Sequence, residues 1–132
     1  FNTMMRGGNM PYGQSKAALE AASASWAEDT KDTGVTVNVL VPGGAADTAL
    51  VPQDAPFDRA LLIKPVVMVA PICWLMSDAA DGVSGMRFIG NLWEPGKPSA
   101  QAMKAAGAPI GWPGLAAAAA AAQPRAAARE GL

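Results

Sequence analysis

Three features of the chain predict an α/β fold built on parallel strands. A long helical segment opening at Tyr12 passes through Gly34 straight into the β-branched run Val35–Val41, that run is apolar almost throughout, and a second short strand follows at Met86–Gly90. Strands buried on both faces of a parallel sheet read as nearly continuous apolar runs, and a helix feeding such a strand through a tight turn is the unit of a parallel α/β sheet.

Each element has its own local cause. Asn2 to Pro11, with the paired Gly7 and Gly8, reads as a loop. From Tyr12 to about Asp32 the chain is rich in Ala, Leu, Glu and Lys, and Ala18, Ala21, Ala22, Ser25 and Trp26 recur at helical spacing. Such small residues let another backbone come close, which suits packing on a sheet or against a partner helix. Gly34 closes the helix as a left-handed cap does, and Val35–Val41 is the strand. Pro42-Gly43-Gly44 ends it sharply, and the next twenty or so residues carry no clear period. Ligands in open α/β sheets bind outside the carboxyl ends of the strands, where this loop starts. Pro65–Ser77 is predicted to be helical, with Pro65 suited to its first turn and Pro71 expected to kink or interrupt it. Asp78–Gly85 is a turn-rich connection in which Asp78 and Asp81 serve turn chemistry rather than a carboxylate pair. Ser99 caps a short helix to Ala106, with Gly107 past its end. Seven consecutive alanines, Ala116–Ala122, are halted by Pro124, a run too short to hold a helix without packing. Residues 1–114 are therefore assigned to one domain and 115–132 to a frayed or disordered tail.

Composition excludes several function classes. With 132 residues and 51% apolar content the chain has room for one globular domain at most. A formal charge of −1, with ten scattered basic residues, gives no footprint for nucleic acid. The absence of histidine removes His-based triads, His metal sites and imidazole relays together. Cys73, alone in an apolar run, can build neither a disulfide framework nor a thiolate metal cluster, and is expected as a small buried hydrophobe. No stretch reaches the roughly 18 apolar residues of a membrane span and no charged-then-apolar leader opens the chain, so a soluble, cytoplasmic protein is expected.

The chemistry is concentrated in Tyr12-Gly-Gln-Ser-Lys16. Side chains four apart on a helix lie one above the other, so phenol and ammonium share a face. A free phenol ionises only near a pH of about 10, and a fixed positive charge beside it favours the phenolate. Lys16 is spaced to supply that charge. A phenol so placed can pass a proton to or from an alcohol or carbonyl oxygen, the acid–base task of carbonyl–alcohol interconversion. A bare Tyr-x-x-x-Lys also occurs on half-buried helices without chemistry, so the pair takes its meaning from its surroundings.

Those surroundings carry a resemblance. Tyr12-Gly-Gln-Ser-Lys16-Ala-Ala-Leu, the strand Val-Thr-Val-Asn-Val-Leu-Val running into Pro42-Gly43-Gly44, and Leu75-Met-Ser-Asp-Ala-Ala-Asp-Gly-Val-Ser-Gly85 stand in the order and spacing of the C-terminal half of a short-chain dehydrogenase/reductase. Together they resemble that family over roughly residues 1–93. The resemblance implies the C-terminal part of a Rossmann-like doubly wound parallel sheet. It implies an oxidoreductase moving a hydride between NAD or NADP and a carbonyl or alcohol substrate, in a homodimer or homotetramer. Tyr12 would be the acid–base residue and Lys16 the holder of the nicotinamide ribose hydroxyls. Pro42, Gly43 and Thr48 would approach the nicotinamide carboxamide. Thr48 stands one residue further from the Pro-Gly than in the commonest pattern, leaving open which backbone group around Ala45 or Ala46 makes that contact. Residues 49–63 would be the substrate loop, and Leu50, Val51, Phe57, Leu61 and Leu62 favour a partly apolar substrate.

The departures from the family pattern are equally definite. The glycine loop that cradles the dinucleotide phosphates is nowhere in the chain, since no strand precedes Gly7-Gly8. The catalytic serine would fall at or just before Phe1, and Thr3 is the nearest hydroxyl. The chain beginning at Phe1 is thus expected to be one half of an active site, inactive alone, with one edge of the Val35–Val41 strand unpaired. Two rivals are a non-catalytic dinucleotide-binding relative and an isomerase or dehydratase of the wider Tyr-x-x-x-Lys superfamily.

Overall fold

In the computed structural model, which describes residues 7, 8, 10–55 and 58–111, the first helix α1 spans Tyr12–Asp29. It stops short of Asp32. The Thr30 hydroxyl turns back onto the Trp26 carbonyl at 2.8 Å, and Asp32 and Gly34 then take the left-handed conformation, with φ of 65° and 81°. The face that α1 turns inward is not the alanine stripe of the sequence reading. Gly13, Glu20 and Ser23 are buried, with Ala17, Ala24 and Ala27 half-buried beside them; of the stripe only Ala22 is half-buried, whereas Ala18, Ala21, Ser25 and Trp26 face solvent. Ser23 is tolerated inside because its hydroxyl donates to the Leu19 carbonyl at 2.8 Å.

The first strand, β1, is Val39–Val41 rather than the whole of Val35–Val41, and the second, β2, is Met86–Ile89. They run parallel, pairing Val39 with Arg87, Leu40 with Phe88 and Val41 with Ile89. Ahead of Val39 the regular ladder gives way because its partner turns at Gly85, whose φ is 71°. Side chains take over there. The Ser84 hydroxyl accepts from the Val37 N–H at 3.0 Å, while the Asn38 amide donates to the Val83 carbonyl at 2.6 Å and accepts from the Met86 N–H at 3.1 Å.

A third strand, β3, at Gly107–Pro109 pairs antiparallel with β2, so the sheet is mixed, in the order β1-β2-β3, and not wholly parallel as the sequence predicts. Gly107, expected only as a helix end, crosses directly over Phe88. A Cβ there would stand 2.8 Å from the Phe88 ring and 2.7 Å from the Met103 carbonyl oxygen, so glycine is what lets β3 approach.

The predicted helix over 65–77 divides into a 3-10 turn at Pro65–Met68 and the helix α2, Val69–Leu75. Pro71 falls in the first turn of α2, where its missing N–H is not needed, and is fully buried. Cys73 sits on the outer side of α2 and is exposed, contrary to the buried position expected of it. The last helix, α3, is Ser99–Ala106; Ser99 is its first residue rather than its cap, a position that Pro98 takes with no side-chain capping bond.

Successive strand side chains point to opposite faces. On one face Phe88 is completely buried with Trp93, Ala102 and Ala106, and Trp74 completes an aromatic cluster with ring centroids 5.1–6.2 Å apart. On the other face Arg87 reaches Glu20 of α1. The protein is thus broadly α/β, a small mixed sheet with helices on either side. Among the described residues no helix is long and apolar enough to cross a membrane. Thr3, Phe57 and the alanine-rich segment lie outside the described residues.

Candidate active site

Because β1 and β2 are parallel, their carboxyl ends finish on the same side, and the Asn91 N–H donates to the Pro42 carbonyl at 3.1 Å to hold the two ends together. A hollow of about 570 Å³ lies between this end of the sheet and α1. Tyr12, Lys16, Pro42 and Gly43 all line it. Two segments some thirty residues apart in sequence therefore converge on one space.

Along α1 the lining residues Tyr12, Lys16, Leu19, Glu20 and Ser23 recur at steps of three and four, which is the periodicity of a single helical face. The Lys16 Nζ lies 5.6 Å from the centre of the Tyr12 ring, within the range of a cation–π contact. Among the described residues Lys16 forms no ion pair with a carboxylate, which leaves its ammonium to the hollow. Tyr12 is 49% exposed, so its phenol is open to solvent and to a ligand alike.

Along β1 the lining is continuous from Asn38 to Ala45. A hollow facing only one side of a strand would meet alternate residues, as Arg87 and Ile89 of β2 do here, so along β1 this one takes in the strand's edge as well as the sheet face. At its upper end Gly43 has φ 103°, and a Cβ there would collide with the side chain of Asn91 and come within 2.7 Å of Ile89. The sequence thus needs glycine at 43 on two counts, the left-handed φ and the space that Asn91 and Ile89 already fill. Thr48 is not among the lining residues. It is exposed, and its hydroxyl donates to the Ala46 carbonyl at 3.5 Å.

The floor holds residues that the sequence reading did not single out. Glu20, only 4% exposed, lies 3.2 Å from the Arg87 Nε and accepts from the Gly111 N–H at 3.4 Å. The Arg87 Nε is buried without a well-aligned acceptor among the described residues, so the pair attracts by charge rather than through a directed hydrogen bond. A charged residue inside the apolar strand Met86–Ile89 was the signal available for it. Beyond Ala45 the chain carries Asp47, whose carboxyl is held below the usual carboxylate range by the hydrogen bond from Lys64 and then by that from Arg59.

Compared with protein-family models, with curated proteins and with solved structures, the chain finds no match in any of the three.

Proposed function

We propose that the chain carries the acid–base half of a nicotinamide-dependent oxidoreductase of the short-chain dehydrogenase/reductase kind, on a Rossmann-like doubly wound sheet, acting on a carbonyl or alcohol. What supports this is the convergence of Tyr12, Lys16, Pro42 and Gly43 on one hollow at the carboxyl ends of parallel strands.

The residues fit the nicotinamide–ribose end of NAD or NADP. Lys16 offers an ammonium with no carboxylate partner among the described residues, suited to ribose hydroxyls, and Pro42 and Gly43 line the same hollow. The fit ends there. Among the described residues no glycine-rich turn joins a strand to a helix N-terminus, the arrangement that cradles a pyrophosphate. When bound, the cofactor supplies or accepts the hydride. Tyr12 gives its phenol proton to the carbonyl oxygen during reduction and takes one from the alcohol during oxidation. Lys16, one turn along the same face with its ammonium 5.6 Å from the centre of the Tyr12 ring, would orient the ribose.

Nicotinamide mononucleotide titrated into the ¹⁵N-labelled chain tests the reading. Amide shifts are expected at Lys16, Gly43 and Gly44 but not along β3, and Lys16→Met should weaken them. Absent shifts at millimolar ligand, or shifts away from the hollow, would overturn it.

A further inference from the structure

Where the chain leaves the hollow, one carboxylate gathers two cations. Asp47 accepts from the Arg59 Nη2 at 2.7 Å through Oδ1 and from the Lys64 Nζ at 2.9 Å through Oδ2. These cations flank Ile63, and the backbone closes at the same place: the Asp47 N–H donates to the Ile63 carbonyl at 2.9 Å and the Ile63 N–H to the Ala45 carbonyl at 3.0 Å. Arg59 also donates to the carbonyls of Val51 at 3.2 Å, Pro52 at 3.3 Å and Thr48 at 3.4 Å. Ile63, fixed in this way, is the backstop of Gly44, whose Cβ position lies 3.1 Å from the Ile63 Cδ1.

We propose that Asp47 is a positioning residue for the glycine rim of the hollow: by tying Arg59 and Lys64 together it clamps Ile63 against Ala45–Asp47 and so fixes the backbone of Gly43–Ala45. The rim is held in this way whatever the hollow binds. Its sequence signature is one acid followed by two bases, at positions 47, 59 and 64, that no local periodicity connects.

The clamp is sensitive to acid, and the sign follows from its charges. Arg59 and Lys64 face the Asp47 carboxylate, while the neighbouring acid Asp58 is engaged with the Ala60 N–H at 2.8 Å. Its ion pairs hold the Asp47 carboxyl below its ordinary range, so the clamp is complete above the ordinary aspartate value and lost as pH falls through the lowered one.

Amide exchange in the unliganded chain, corrected for intrinsic rates, tests this. In Asp47→Asn the Asp47 and Ile63 amides should exchange about tenfold faster or more at neutral pH, while the amides of β2 keep their protection. Arg59→Lys, which keeps the charge but loses the planar fork, should fall between the variant and the native chain. The native chain should also lose protection at these amides in an acid step that Asp47→Asn lacks. Equal protection in both chains, a matching acid step in Asp47→Asn, or equal loosening of β2 would each overturn the proposal. The readout involves no ligand, so it stands or falls separately from nicotinamide binding.

Discussion

At the scale of single residues the protein combines groups whose positions follow from helical spacing with groups brought together by the fold. Tyr12 and Lys16 are neighbours because four residues make about one helical turn. Their chemistry gives a direct expectation. If the proposed oxidoreductase function holds, Tyr12→Phe in an active form of the protein should reduce kcat by about 100-fold to 10,000-fold with little change in the dinucleotide Kd, because only the phenol proton is lost. Steady-state kinetics and equilibrium binding on the two proteins check it, and an unchanged kcat would remove Tyr12 from the acid–base role. Glu20 and Arg87 are of the other kind. They are sixty-seven positions apart and meet only because the Arg87 side of β2 faces α1, a fact that no local pattern contains.

At the scale of elements, α1 and β1 depart most from the sequence reading. An alanine stripe reads as a packing face, yet the inward face of α1 carries Gly13, Glu20 and Ser23, and Leu19 and Trp26 are about half exposed. The polar residues win because the hollow and Arg87 lie on that side. The strand shortens because its partner turns at Gly85, where side-chain bonds from Ser84 and Asn38 stand in for the ladder. Among the described residues β1 is paired only to β2, so its other edge presents free N–H and C=O groups. The chain alone should therefore self-associate at micromolar concentrations, and Val41→Lys, placing a charge beside that edge, should reduce the association. Light scattering across a dilution series checks this. A monodisperse native chain at those concentrations would count against an open edge.

At the scale of the whole molecule, stability rests on the face of the sheet opposite α1. Phe88 has no exposed surface and is enclosed by Trp74, Trp93, Ala102 and Ala106. Phe88→Ala should cost about 3–5 kcal/mol, as large-to-small changes at fully buried aromatics do. Denaturant unfolding followed by tryptophan fluorescence measures it, and a loss below about 1 kcal/mol would show that the cluster is not the core. The sequence by itself determined the helical start at Tyr12, the parallel pair near Val35–Val41 and Met86–Gly90, and the sharp strand end at Pro42-Gly43, because helical period, β-branched runs and glycine–proline turns act over a few neighbouring residues. Only the tertiary structure decided the antiparallel β3, the Glu20–Arg87 floor, the Asp47 clamp and the exposure of Cys73. Each of these depends on which surface another part of the chain presents, and that is settled by packing rather than by local preference.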